Sequence, residues 1–509
     1  MGSFLRKPQL LPVKGINLAI PSTYLQDGFA FPQNLQYFRG ELKKRDGRAV
    51  LGGVSLGAQK ILYLDTFILS TGNIRLLRFT KQNVQQYNTT TGVWDDKTGL
   101  DLTGSESDFF SSCVVTESDL FLFTNNRINA PRKIVDGSNS TNLGGSPPKC
   151  SFMEYVTPYV LLAYTQEGGT DFPTKVRWSD TGQPELWSGG NSGSQLLSDD
   201  PSFIRGMKKL RDYVMVYKEL SIYRGRKVGT SSIFDFGGPF SSGKGLYSQR
   251  AIASDGENHY YMGLNDFHLN NGVRIIDIGG PVREYIFNRL NRSLNTTCHA
   301  VHVELYKEIW FYITISGLSW PTEVWKYNYE KDFWYFDTCS SITCGSSYKQ
   351  VSSLAWNDAG GTWDSQASFW DEQQGGASTP RLVFGDADGL TAQLDTTIVD
   401  DMGVAVAAQL ETKDYTGLEH QGIEFDTRWL QVDLWGRGDS VKLYYSTNYG
   451  GTWTYVGENE LSDVVERSTF WIDVIAKHIR FRFVQDGLSK DLVIRSFTPY
   501  FLSGTEQPT

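Results

Sequence analysis

Short apolar and aromatic runs, each about five residues long and each followed by a polar turn and a second strand-like stretch, recur along this chain. They stand at ILYLD (61–65), LFLF (120–123), YVLLAY (159–164), YVMVY (213–217), YYMGL (260–264), IWFYITI (309–315) and LVFGD (382–386). With centres at 63, 121, 161, 215, 262, 312 and 384, the successive gaps are 58, 40, 54, 47, 50 and 72. One four-stranded propeller blade takes about 40–50 residues. The spacing predicts an all-β chain whose residues 51–395 form a degenerate β-propeller of six or seven blades, the ring being able to close with strands from both ends. Two β-sandwiches with recurring hairpins are the competing arrangement. The last gap is long because a Gly- and Trp-rich insertion occupies residues 340–380.

Helical periodicity is nearly absent. The best window is PVREYIFNRLNRS (281–293), where Val282, Tyr285, Ile286, Phe287 and Leu290 fall on one face behind Pro281, predicting one short amphipathic helix. After FGDADGLTAQLD (384–395) the pattern tightens to strict alternation, as in VKLYYSTN (441–448) and HIRFRFVQ (478–485). Such alternation marks strands with one wet face, so residues 396–509 are expected to form a C-terminal β-sandwich domain. Residues 1–50, with Pro8, Pro12, Pro21 and Pro32 and little alternation, read as an extended N-terminal arm. Within it, GELKKRDGR (40–48) reads as a solvated β-turn, with a phosphate or partner contact as the other reading.

Composition agrees with the strand pattern: 51 glycines for tight turns, 14% aromatic and only 21% charged residues in a chain of 509. The net charge of −9 argues against tight clamping of duplex DNA, which needs a basic face. It leaves room for a conduit whose acidic lumen repels phosphate. No secretion signal and no apolar run of about 18 residues is present, so a soluble chain made in the cytoplasm, with no direct membrane insertion, is expected. The five cysteines (Cys113, Cys150, Cys298, Cys339 and Cys344) are too few and too scattered for a disulfide scaffold.

Motif chemistry is sparse. STNYGGTW (446–453) matches the Asp-box hairpin of sialidases and related propellers with Asn448 in the Asp position; Asn448 would tie the turn, Gly450 supply positive φ and Trp453 pack beneath. DAGGTW (358–363) is a weaker copy. Asp386 and Asp388 in FGDADG read as turn residues bonding backbone amides, since the remaining ligands of a calcium loop are missing. Cys298, His299 and His302 with Cys339 and Cys344 do not have zinc spacing. No nucleophile elbow, phosphate loop or zincin motif occurs, so no catalytic residue, metal or cofactor is expected. Trp356, Trp363 and Trp370 are spaced seven apart, each beside Asn or Asp. Core packing, sugar stacking and a subunit contact all fit them, and they are the candidate subunit-interface residues.

The order of these features resembles one family, the tail hub or nozzle (DNA-stabilisation) proteins of short-tailed bacteriophages. The likeness runs through Gly15-Ile16-Asn17, the basic stretch Gly40 to Arg48, VRWSDTGQPELW (176–187), VFGDADGLTAQLD and the hairpin Tyr445 to Gly450. The resemblance implies a structural virion protein, not an enzyme: a homohexameric ring that retains packaged double-stranded DNA and conducts it at ejection without sequence-specific binding. It implies adaptor or portal-proximal proteins and tail fibres or spikes as neighbours, with the virion tail as location. A carbohydrate-binding or sialidase-like propeller and a phage receptor-binding or baseplate component are the alternatives.

Overall fold

The computed structural model describes residues 4–6, 9–10, 15–21, 24–25, 31–38, 40–100, 102–229, 233–348, 381–416, 418–420 and 423–502. Its centre is a seven-bladed propeller. Blade 1 is built from Tyr63–Ile68, Ile74–Phe79, Val84–Asn88 and Val93–Asp96, and blade 2 from Phe110–Val115, Leu120–Asn125, Arg132–Val135 and Thr141–Asn142. Blade 3 comprises Lys149–Val156, Tyr159–Glu167, Thr170–Trp178 and Gly193–Leu196; blade 4 comprises Ile204–Leu210, Tyr213–Lys218, Ser221–Lys227 and a split outer strand, Phe234–Asp235 and Pro239–Ser242. Blade 5 follows with Ile252–Ser254, His259–Met262, Phe267–Asn270 and Ile275–Asp277, and blade 6 with His299–Val303, Glu308–Ile313, Glu323–Asn328 and Phe333–Thr338.

Blade 7 closes the ring with strands from both ends of the propeller region. Ile342–Tyr348, Arg381–Asp386 and Thr391–Asp395 are completed by Gly47–Val50, with Ala392 opposite Val50 and Leu394 opposite Arg48. In each blade the first strand is innermost and the second is covered on both faces, so the second reads as a continuous apolar run. All of Glu308–Ile313 is buried, for example. Six of the seven runs picked out in the sequence are such second strands. ILYLD instead leads into the innermost strand of blade 1, whose second strand, Ile74–Phe79, is interrupted by Arg75 and Arg78. That displacement by one strand produced the overlong first gap.

Arg78 is fully buried without a carboxylate partner. It donates to the carbonyls of Gly53 and Val54 at 2.9 and 3.0 Å and to Gln85 and Thr391, and its guanidinium lies 4.1 Å from the Trp94 ring centroid. The predicted helix over 281–293 is real but shorter, Arg283–Phe287. Its end is set by sheet pairing: Leu290 bridges to Ile315, and the Asn291 amide donates to the Thr314 carbonyl at 3.0 Å. No helix among the described residues is long and apolar enough to cross a membrane.

The C-terminal part is a two-sheet sandwich. One sheet runs Leu35–Phe38, Glu41–Lys44, Leu492–Leu502, Thr427–Gly438, Glu466–Ala476; the other includes Ala408–Glu411, His478–Gln485, Ser440–Ser446 and Thr454–Glu460. Ile479, Phe481 and Phe483 are fully buried, as their alternation predicts, in a core shared with Trp429, Leu443 and Phe497. Leu35 and Leu42, from the segment expected to be an extended arm, belong to the same core.

That N-terminal segment sews the two bodies together. Phe31–Gln33 pairs in parallel with Phe333–Thr338 of blade 6 and antiparallel with Ala408–Glu411 of the sandwich, making one continuous sheet across the junction. Asn34 Nδ2 donates to Thr338 Oγ1 at 2.9 Å and to the Ala407 carbonyl at 2.8 Å, so one side chain holds both bodies. The Gly15-Ile16-Asn17 phrase docks on blade 6: the Ile16 amide donates to the Trp334 carbonyl at 2.9 Å and the Ile16 side chain is buried. Gly15 has φ of +66°, and a Cβ there would lie 2.7 Å from the Trp334 carbonyl oxygen, so only glycine fits.

The stretch Gly40 to Arg48 is not a solvated turn. Lys44, Arg45, Asp46 and Arg48 are all buried. Arg45 forms a bidentate pair with Asp401 (Nη1–Oδ1 3.0 Å) and lies 3.8 Å from Asp337 on the outer strand of blade 6, which also pairs with Lys326. Arg48 lies 3.9 Å from Asp401, and the Tyr306 hydroxyl donates to Asp46. Arg45 and Arg48 answer acids brought in from blade 6 and from the linker, while the Lys44 ammonium donates to the Lys490 carbonyl at 2.7 Å. Stranding buried acids by removing one partner is costly, about 3–5 kcal/mol. Arg45→Ala should therefore lower stability by about that amount in urea unfolding; a loss below about 1 kcal/mol would show that the pair adds nothing to the seam.

Candidate functional site

The seven innermost strands surround a central cavity of about 230 Å³. Its wall is apolar and aromatic at Phe109, Phe110 and Phe152, and polar at Tyr63, Asp65, Ser112, Glu154, Lys208 and Arg250. Asp65 accepts from the Tyr63 hydroxyl at 3.2 Å, from the Thr66 amide at 2.8 Å and from the Ser112 hydroxyl. Glu154 accepts from the Tyr155 and Lys209 amides, both at 3.2 Å. What surface these two carboxylates keep faces the cavity, and their removal from bulk water raises both pKa values above the usual carboxylate range, against the opposing charge of Lys208.

Arg250 closes part of the cavity. Its guanidinium reaches from blade 5 to the carbonyls of Leu62 (2.7 Å), Thr343 (3.1 Å) and Thr296 (3.1 Å), so one side chain ties blades 5, 1 and 7 together with the segment entering blade 6. Burial without a facing carboxylate lowers its pKa. Beside it His299 stacks on Tyr312 with centroids 4.4 Å apart, and burial brings its pKa down to about 3, so this ring stays neutral. Two desolvated carboxylates beside a lysine form an arrangement that acid–base chemistry can use. Here both acids are also held by the surrounding strands, each accepting from its own and a neighbouring blade.

The residues singled out in the sequence do not gather at this cavity. Ser446 Oγ accepts from the Gly450 amide at 3.0 Å, and Asn448 Oδ1 accepts from the Thr452 amide at 2.8 Å, which ties the Asp-box hairpin of the sandwich. Gly450 has φ of +85°, and Trp453 lies under the Arg482 guanidinium at 3.8 Å. Asp386 Oδ1 accepts from the amides of Asp388 (3.0 Å) and Leu390 (2.7 Å) in a turn of blade 7. Trp356, Trp363 and Trp370, and the DAGGTW segment, lie outside the described residues. The five cysteines are buried free thiols. Among the described residues no group of three or more His, Cys, Asp or Glu could hold a metal ion.

Sequence reasoning missed Asp65, Glu154, Lys208 and Arg250. The available signal was a lone acid inside two of the apolar inner-strand runs, ILYLD and CSFMEYV. It also missed an aromatic outer face on the sandwich, where Trp471 is 74% and Trp435 43% exposed. Trp471 stands opposite Gln431, beside the bidentate pair Arg428–Asp473 at 2.6 and 2.7 Å.

No family model and no curated protein matches the chain. Among solved structures it is similar to the WD40 domain of Neurospora crassa Pan2, at 8% identity and a TM-score of 0.39 over 68% of this chain and 94% of that one. It is also similar to PorZ, a surface component of the type-IX secretion system of Porphyromonas gingivalis (10% identity, TM-score 0.36, 82% of this chain and 48% of that one). A third is an exo-β-1,3-galactanase from Phanerochaete chrysosporium (11% identity, TM-score 0.27, 89% of this chain and all of that one, covered 100%). Likenesses this distant say nothing about activity, and the propeller rests on the strand pairing itself.

The cavity carboxylates make a signed prediction. A carboxyl whose pKa is higher folded than unfolded favours the folded state while protonated, and that contribution is lost as pH rises through the folded value. Replacing Asp65 by Asn or Glu154 by Gln should therefore raise the melting temperature relative to the parent chain increasingly as pH goes from acid to mildly alkaline. Parallel pH profiles for parent and variants would contradict the desolvation of these groups.

Proposed function

We propose that the chain is a structural virion protein of a short-tailed phage tail, a hub or nozzle subunit that assembles into a ring, keeps packaged double-stranded DNA inside and then conducts it. The observation that supports this best is the seam. Two β bodies joined by one continuous sheet, a shared asparagine and buried ion pairs act as a single rigid block, which suits a load-bearing ring better than a hinged binding module. The order of sequence features that resembles the hub family runs through the same parts: Ile16 is a docking plug, Arg45 is the seam, and Asp386 and Asn448 tie hairpins.

The duplex would not pass through the propeller. A cavity of about 230 Å³ crossed by Arg250 has no room for it, so the conduit would lie between subunits around the ring axis. The sites identified carry no catalytic step in this reading: the cavity acids serve the packing of the inner strands. A carbohydrate-binding or sialidase-like propeller is the second reading, favoured by the Asp65 and Glu154 carboxylates and by the exposed Trp471.

Mass photometry and electron microscopy of the purified chain, with a glycan array alongside, separate the two. The hub reading expects rings of about six 57.3-kDa subunits with an axial opening and no saccharide signal. A monomer that binds oligosaccharides, with binding lost in Trp471→Ala or Glu154→Gln, would replace it with the carbohydrate reading.

A further inference from the structure

The net charge of −9 is unevenly distributed. Residues 204–242, blade 4, hold eight Lys and Arg against three Asp and Glu. In none of the other blades formed from one continuous, fully described stretch or nearly so (63–96, 110–142, 149–196, 252–277 and 299–338) do cations outnumber acids. Three of the blade 4 cations are engaged internally: Arg205 pairs with Glu219, buried Lys218 donates to the Leu197 carbonyl at 3.0 Å, and Lys208 lines the central cavity. The other five, Lys209, Arg211, Arg224, Arg226 and Lys227, are exposed.

Strand register puts these five at one end of the blade. Lys209 stands opposite Val214, and Arg226 and Arg224 stand opposite Tyr213 and Met215, so the turn at Arg211 and the end of Ser221–Lys227 lie side by side. Arg224 Nη1 donates to the Gly272 carbonyl at 3.0 Å, which brings the blade 5 turn with its exposed Arg274 next to the cluster. Four acids lie nearby: Asp212 is exposed, Asp235 is 3.5 Å from Arg226, and Glu117 and Glu154 interact with Lys209, which leaves Arg211, Arg224, Arg226 and Lys227 as the less opposed part of the cluster.

Blade 4 also departs from the others in shape. Its outer strand is broken at Phe236-Gly237-Gly238, leaving a groove of about 400 Å³ flanked by Arg224, Arg226 and Phe240. Aromatic rings hold the cations without neutralising them. The Arg224 guanidinium lies 4.9 Å from the Tyr213 centroid and 5.3 Å from that of Phe240, and the Lys227 ammonium 5.4 Å from Tyr159. Pre-oriented guanidiniums match phosphate oxygens in a bidentate way. Because these cations line one blade end without converging on a point, they fit a charged polymer better than a single small anion.

We infer that the exposed end of blade 4 is a contact surface for the phosphate backbone of double-stranded DNA, read without regard to sequence. In a ring of such subunits the surface would supply a repeated weak grip on an otherwise acidic assembly, enough to hold DNA in place and weak enough to release it. The inference rests on the conduit reading for its biological setting, but the isolated chain tests it separately. DNA binding without ring formation would keep this surface and sink the ring; rings that do not bind DNA would do the reverse.

The test is fluorescence anisotropy with a short mixed-sequence duplex, with salt raised from about 50 to 200 mM. With four or five phosphate contacts the log–log slope should be about −3.5 to −4.5. The triple variant Arg211→Glu, Arg226→Glu, Lys227→Glu should bind at least about tenfold more weakly and lose about 2–3 from the slope. The control Lys477→Glu, an exposed cation of the sandwich, should behave as the parent, and all three proteins should show the same melting temperature. Equal binding and slope in the triple variant, no duplex binding by the parent chain at the lowest salt, or binding of phosphatidylserine vesicles in preference to DNA would each overturn the inference.

Discussion

The bidentate contact between Arg45 and Asp401 organises the junction on which the rest of this molecule depends. Arg45 comes from the N-terminal segment, Asp401 from the linker that leaves the propeller, and Asp337, 3.8 Å away, from blade 6. Charges this deeply buried are tolerable only when each has its partner in place, so the network permits one arrangement of arm, blade and linker. Once it is set, Gly47–Val50 is positioned to complete blade 7 and Leu35 and Leu42 to enter the sandwich core. One short segment, residues 35–50, thus takes part in both ring closure and domain docking.

A propeller closed in this way has a small, crossed centre and a large, adaptable periphery. Arg250 spans the middle using carbonyl acceptors instead of acids, which fixes the blades without creating a strong charge pair. The inner strands consequently offer little space, and the surfaces free to meet partners are the blade ends and the outer sheet of the sandwich. Those surfaces differ in character: blade 4 presents cations held by aromatic rings, while the sandwich presents Trp471 and Trp435. The conduit role proposed above would use this division, with one face toward the cargo and others toward neighbouring copies.

The fold was legible where burial is two-sided. Second strands such as IWFYITI and YVLLAY announce themselves because no position in them needs to be polar. Ile74–Phe79 escaped notice because Arg78, satisfied by two carbonyls and a tryptophan face, mimics a surface residue in sequence. The same blindness hid the seam. LKKRDGR reads as a wet turn, and only the three-dimensional arrival of Asp337 and Asp401 turns its charges into core contacts. Local tying residues, Asn448 and Asp386, could be read from spacing because their partners lie within four residues. Asp65 and Glu154 could not, since a lone acid in an apolar strand gains meaning only when seven strands converge.

Native-state hydrogen exchange followed by mass spectrometry tests the seam most directly. If the N-terminal segment is the structural joint between propeller and sandwich, amides of residues 31–50 should exchange as slowly as those of Phe333–Thr338 and His478–Gln485, opening only with global unfolding. Rapid exchange of 31–50 while both bodies stay protected would show that the two halves hold together without it, and the account would fail at its centre.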